Sequence, residues 1–143
     1  MRSPEFWTFF ETTARPRLTK RAEGFSMIFE YLDRFDRPVG IIETGCTRGS
    51  DTWKNDGAST ILFDKYAEFH PGSVVYTVDI NPNTTSLCRS LVSERVKVET
   101  ADSVTFLRRL ADEPPSDLAF VDLVYLDSYE WIGTTSRRAP CII

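Results

Sequence analysis

The chain has 143 residues, a net charge of −4, 41% hydrophobic and 27% charged residues. That is enough for one domain with one buried core, and the acidic balance argues against a nucleic-acid partner. No apolar run approaches the ~20 residues that span a bilayer, and the start, MRSPEFWTFFETTARPR, lacks the apolar core of a signal peptide. Three widely spaced cysteines, Cys46, Cys88 and Cys141, suggest reduced thiols in a cytoplasmic protein.

Ser3-Pro4 can open a helix, with serine as cap and proline at its first position. Phe6, Trp7, Phe9 and Phe10 follow, and "ARPR" at 14–17 reads as a break. From Leu18 to Phe35, Phe25, Ile28, Phe29, Leu32 and Phe35 recur at helical spacing, and Asp36 to Pro38 end the helix. This third of the chain reads as a helical cap on a sheet, with an aromatic lid over a substrate as the alternative.

Val39 to Thr44 is a buried strand, followed by a polar, turn-rich stretch at 50–59. Thr60 to Phe69 is a helix with Leu62, Tyr66 and Phe69 inward, stopped by "HPG". "SVVYTVDI", 73–80, is the second strand; Asn83 or Thr84 can then cap a helix carrying Leu87, Leu91 and Val92. "RVKVET", 95–100, is the third strand, and Asp102 caps a helix with Val104, Leu107 and Leu110 on one face. Two prolines at 114 and 115 break it, and Phe120 to Leu126 form a fourth strand ending at Asp127. Strands alternating with helices imply right-handed crossovers, a parallel sheet covered on both faces, and a ligand site at the carboxyl ends of the strands. The fold class is therefore α/β, a Rossmann-like doubly wound sheet of about four strands: a cap at 1–38, a core at 39–130 and an irregular tail at 131–143.

The loop after the first strand, "IIETGCTRGS", decides the ligand. No lysine follows Gly49 as a Walker loop requires, and Gly45-Cys46-Thr47-Arg48-Gly49 lacks the dinucleotide G-x-G-x-x-G spacing. Glu43, two residues before Gly45, would repel a pyrophosphate and suit an ammonium group. Asp79, at the tip of the second strand, can accept both hydroxyls of a ribose, beside an apolar wall at Ile80. Asp102-Ser103 can receive the amine of an adenine. A ligand cationic at one end, with a free ribose diol and no phosphate, is S-adenosylmethionine.

With these residues the sequence resembles the class I S-adenosylmethionine-dependent methyltransferases, closest to the small-molecule O-methyltransferase-like group. The acid-x-Gly-x-x-x-Gly loop matches Glu43, Gly45 and Gly49. The ribose acid matches Asp79 in "VYTVDINP", the adenine-side acid Asp102 in "TADS", and the motif after strand four "VDLVYLDSYE" at 121–130. The resemblance covers roughly 39–130 and implies cofactor contacts from Glu43, Gly45, Cys46, Gly49, Asp79, Ile80, Asp102, Ser103 and Asp127. The sequence departs from the family at Thr47, in the long connection at 50–59, and after the fourth strand, where the family's sheet continues. The chain thus reads as the cofactor-binding portion of such an enzyme, cut short.

Related metal-dependent enzymes hold a divalent cation partly through an acid at the end of strand four, matched by Asp127. One carboxylate with water holds such an ion weakly, so we expect no metal and give Asp127 to cofactor, substrate or a helix cap. Tyr129 and Glu130 take no assigned role. His70 falls at the wrong end of the sheet for catalysis and reads as a surface or capping residue; Cys46, His70 and Cys88 lack zinc-ligand spacing. Arg108-Arg109 reads as a solvated helix face. The expected function is methyl transfer to a small-molecule hydroxyl, with no catalytic base assigned. The alternatives are a non-catalytic nucleoside-binding or assembly module, able to form homo-oligomers through an exposed sheet edge, and an NAD-dependent oxidoreductase fragment.

Overall fold

The computed structural model describes residues 1–54 and 57–127. The expected tail at 131–143, with Tyr129, Glu130 and Cys141, lies outside the described residues.

The chain opens with α1, Pro4–Phe9, whose cap is Ser3: its Oγ accepts the Phe6 N–H at 3.2 Å, and Pro4 sits where a missing N–H costs nothing. The expected break at 14–17 is absent. A π-helical turn, Phe10–Ala14, runs directly into α2, Arg15–Leu18. The Arg15 N–H reaches back to the Phe10 carbonyl, and this wider turn accommodates Pro16, which would otherwise clash with the preceding turn. The direction changes instead at Thr19, which adopts φ 54° at the head of a 3-10 turn, Thr19–Arg21. The long helix α3 therefore begins at Ala22, not Leu18, and ends at Leu32.

These helices form a cap that belongs to the core. Phe6, Phe10, Phe29 and Leu32 are fully buried together with Leu62, Phe63 and Tyr66 of α4, Ser59–Glu68. The Phe6 ring lies 4.7 Å from Phe29 and 5.0 Å from Tyr66, both edge-on. Asp33 ties the layers: its carboxylate accepts the Trp7 indole N–H at 2.7 Å and the Tyr66 hydroxyl at 3.1 Å. This shared aromatic surface packs the cap against α4.

Four strands follow: β1, Gly40–Thr44; β2, Val74–Asp79; β3, Val96–Thr100; and β4, Leu123–Leu126. All pair in parallel in the order β3-β2-β1-β4, a Rossmann-like α/β sheet. Alternate residues divide between its faces. Ile41, Val75, Leu123 and Tyr125 join α4 and the cap, while Ile42, Tyr76 and Val78 pack on Phe106 and Leu110 of α6, Ser103–Asp112. Among the described residues no helix is long and apolar enough to cross a membrane.

Three expected details are corrected. The helix α5, Pro82–Leu91, is capped by Asn81, whose side chain accepts the Asn83 N–H, and not by Asn83 or Thr84. Its buried residues are Thr85 and Cys88, with Leu87 40% exposed. In α6 the inward residues are Phe106 and Leu110; Val104 is exposed, because Asp102 starts the helix in a phase that turns it outward. β4 begins at Leu123, leaving Phe120 and Val121 outside the ladder and exposed.

The amino ends of β1 and β4 are pinned by charge and close approach. Asp122 receives two hydrogen bonds from Arg37, at 2.9 and 2.7 Å, and one from the Gly40 N–H at 3.0 Å. A Cβ on Gly40 would stand 1.9 Å from the Phe120 carbonyl oxygen, so only glycine fits. Gly40→Ala is expected to lower stability by about 2 kcal/mol or more, as overpacking does. A urea midpoint equal to the parent's would show that the strands do not approach this closely.

Candidate functional site

Parallel pairing brings every strand's carboxyl end to one edge. Thr44 pairs with Val78 and with Leu126, and Asp79 pairs with Thr100. One residue beyond Thr44, the ladder continues: the Gly45 N–H donates to the Val78 carbonyl at 2.8 Å and the Asp127 N–H to the Thr44 carbonyl at 2.9 Å. Asp127, Gly45, Asp79 and Thr100 thus stand in a row, with Ala101 and Asp102 just past β3. The chain leaves β1 toward α4 on one side and returns to its other side as β4, so the strand order reverses beside Gly45. In open α/β sheets that is where ligands bind.

Beneath this edge lies a buried acid. Glu43 is fully buried, in register with Thr77 of β2 and pointing to the α4 face. Its carboxylate accepts hydrogen bonds from the hydroxyls of Ser59, of Thr60 at 2.6 Å and of Thr77 at 2.7 Å. Ser59 and Thr60 belong to the first turn of α4, whose dipole favours a negative charge there. Burial pushes the Glu43 carboxyl up to about 7; the three hydroxyls pull the other way, and the nearby negative charge of Asp127 adds to the rise. With both oxygens engaged and no exposed surface, Glu43 supports the loop from behind rather than facing the crevice.

The loop itself is held at both ends. Gly45 takes φ 84°, a turn that favours glycine. The Thr47 N–H donates to Thr60 Oγ1 at 2.9 Å, so Thr60 links loop and buried acid. The Thr47 hydroxyl accepts the Ala58 N–H at 3.1 Å and donates to the Gly49 carbonyl at 3.2 Å. At the far end Gly57 and Ala58 both have positive φ, and a Cβ on Gly57 would meet Thr52 Oγ1 at 2.6 Å. Gly49 has ordinary contacts and no positive φ, so Gly57 carries the stricter steric demand. From the cap, Arg21 donates to the Trp53 and Gly57 carbonyls, both at 2.9 Å, and Arg17 stacks over the Trp53 ring at 4.1 Å.

The other expected site residues sit as follows. Asp79 is half-buried; among the described residues one of its oxygens is engaged, by the Asn81 N–H at 2.9 Å. Ile80, next to it, is 73% exposed, an apolar side chain left open at the edge. Asp102 caps α6 through the Thr105 N–H at 3.0 Å and the Thr105 hydroxyl, which hold its carboxyl below the usual range; Ser103 opens that helix. Cys46 is buried, its thiol held above the usual range by Cys88, burial and the charges of Asp79 and Glu43. Asp127 is half-buried beyond β4. His70 lies far from this edge, its ring stacked on Tyr66 at 3.8 Å and its Nδ1 facing the Tyr66 carbonyl; it closes α4 and is mostly buried rather than on the surface. Among the described residues no group of three or more His, Cys, Asp or Glu could hold a metal ion.

The sequence reading missed Ser59, Thr60 and Thr77, the partners of Glu43. Thr77 had a local signal: in "SVVYTVDI" it shares the face of Val75 in a strand read as buried, so its hydroxyl needs a partner. Two hollows border the opposite, amino-terminal edge. One of about 210 Å³ is lined by Arg37, Gly40, Asp117 and Phe120, the other by Met1, Glu5, Phe69 and His70. Neither contains residues from the row of strand tips, and Arg37 and Asp117 are already paired with Asp122 and Tyr76.

No protein-family model matches this chain, and no curated protein or solved structure matches it at a significant level.

A raised carboxyl makes stability depend on pH. Folded Glu43 keeps its proton where the unfolded chain has lost it, so its contribution is fully present below about 4.5 and lost as pH rises through about 7. Urea unfolding between pH 4.5 and 7.5 is expected to show a decline of up to about 3 kcal/mol from this group. Glu43→Gln should flatten that decline; an unchanged slope in the variant would assign it elsewhere.

Proposed function

We propose that the carboxyl edge of the sheet binds S-adenosylmethionine and that the protein is a methyltransferase, or the cofactor-binding portion of one, acting on a small-molecule hydroxyl. The observation that supports this reading is the placement of Asp79, one residue past Val78, which accepts the Gly45 N–H, at the reversal point above a buried acid. Among the described residues one Asp79 carboxylate oxygen is left for a ribose diol. Ile80 supplies an apolar wall for adenine, with Asp102 and Ser103 beside it for the exocyclic amine.

The same geometry weighs against a pyrophosphate. A dinucleotide places its phosphates on the N-terminus of the helix after β1. Here that first turn already gives two hydroxyls to Glu43, and its flanking Ala58 N–H is taken by Thr47. The carboxylates of Asp79 and Asp127, at the strand tips, would oppose phosphates at this edge. A sulfonium and an ammonium group are favoured by the same field. The bound cofactor would supply an activated methyl group; the protein's part is to hold donor and acceptor in line. Gly45 and Cys46 would border the methionine end, and Asp127, just past β4, would lie across the reversal point on the acceptor side.

Calorimetry should show binding of S-adenosylmethionine and S-adenosylhomocysteine at micromolar or weaker affinity, and Asp79→Ala should weaken it at least tenfold. NAD binding as tight as either would replace this reading with that of an oxidoreductase. A second, compatible reading is an assembly module. Among the described residues β4 is an edge strand, with Phe120 and Val121 exposed just before it. Light scattering is expected to give the mass of a dimer or larger; a monomer at high concentration would remove pairing through this edge.

A further inference from the structure

His70 is the chain's single histidine, and its ring meets oxygen on both sides. Nδ1 lies 2.8 Å from the Tyr66 carbonyl and Nε2 lies 2.8 Å from the Met1 carbonyl. Asp33 Oδ1 stands 3.5 Å from the same Nε2. A carbonyl oxygen only accepts, so each of the two close contacts needs an N–H. A neutral imidazole has one, and the imidazolium has two. The surroundings favour that second proton. The ring stacks on the face of Tyr66 at 3.8 Å, and an aromatic face attracts a cation. The Asp33 carboxylate faces it from just past α3. The other charges bordering the same hollow are of both signs: Glu5 and Asp36 against Arg2 and Arg37. Arg37 is already held by Asp122, Arg2 lies over the Trp7 ring at 4.2 Å, and the Met1 ammonium donates to the Phe35 carbonyl.

The two ring contacts differ in what can move. Tyr66 and His70 are one turn apart at the end of α4. There the His70 N–H donates to the Ala67 carbonyl at 3.3 Å, and the His70 carbonyl accepts the Ser73 N–H at 3.0 Å. That backbone, with the stacked rings, holds Nδ1 against the Tyr66 oxygen. Met1 is 71% exposed and stands ahead of Ser3, the cap of α1. A ring left with one proton therefore keeps it on Nδ1. The bare Nε2 then turns a lone pair toward the Met1 carbonyl and Asp33, and the Met1 contact opens.

We propose that His70 is a protonation latch: its imidazolium fastens Met1 and Arg2 against the end of α4, and loss of one ring proton releases them. The latch is closed on the acid side and opens as pH rises through the titration of the ring. Ser3 stays in place in both states, because its hydroxyl accepts the Phe6 N–H at 3.2 Å. The latch lies at the opposite edge from the strand tips and does not depend on what binds there.

The test is NMR of the isotope-labelled full chain, starting at pH 5 and raised until the ring has lost its second proton; histidine ordinarily changes charge between about pH 5 and 8. Both ring nitrogens are expected to carry protons at the start, and the proton that remains at the end is expected on Nδ1. The Arg2 amide, bonded to the Met1 carbonyl carbon, should shift with the same midpoint as the ring and by more than the Phe6 amide. A ring already neutral at pH 5, a remaining proton on Nε2, or an Arg2 amide that does not follow the ring overturns the proposal. The parent protein decides this alone. In His70→Gln the Arg2 shift should be lost; the same shift persisting there would assign it to the Met1 ammonium and also overturn the latch.

Discussion

The buried carboxylate of Glu43 is the constraint on which the rest of the candidate site depends. An acid with no exposed surface is tolerable only where its oxygens are satisfied, and three hydroxyls satisfy them here. Those hydroxyls belong to β2 and to the first turn of α4, so one side chain on β1 fixes the position of both. Thr60 passes the constraint on, since its oxygen also accepts the Thr47 N–H. The loop's shape is therefore set from below, by a polar centre inside an otherwise apolar layer.

That centre also sets the electrostatics of the edge above it. A helix N-terminus next to a strand end is ordinarily an anion site. Here part of that capacity is used internally, and Asp79 and Asp127 add negative charge to the same edge. On the reading proposed above, what is left would suit a cationic, hydroxyl-rich ligand with an apolar ring. The cap reinforces the arrangement from the other side. Arg17 and Arg21 grip the long loop at Trp53 and Gly57, while aromatic packing around Phe6, Phe29 and Tyr66 anchors the helices that carry them.

Much of this was legible in the sequence because it is written in short-range pattern. The β-branched runs at 39–44 and 73–80, each with an acid as its last residue but one, mark strands and their tips without knowledge of tertiary contacts. Asp102 as a cap is equally local. What was not legible depends on partners far apart in the chain. Glu43 read as a ligand-facing acid because nothing nearby shows that Ser59, Thr60 and Thr77 converge on it. Pro16 read as a break because a π-helical turn that absorbs a proline leaves no mark in composition. In α6, Val104 fits a helical stripe as well as Phe106 does; only the sheet's position selects the face.

The most direct measurement is a titration of isotope-labelled protein with S-adenosylhomocysteine, followed by backbone amide NMR. Changes concentrated at Gly45 to Thr47, at Asp79 and Ile80, and at Ala101 to Ser103 are expected, since these amides border the row of strand tips. Changes confined to the opposite edge, around Arg37, Gly72 and Phe120, would contradict the assignment, as would a spectrum that the ligand leaves unaltered.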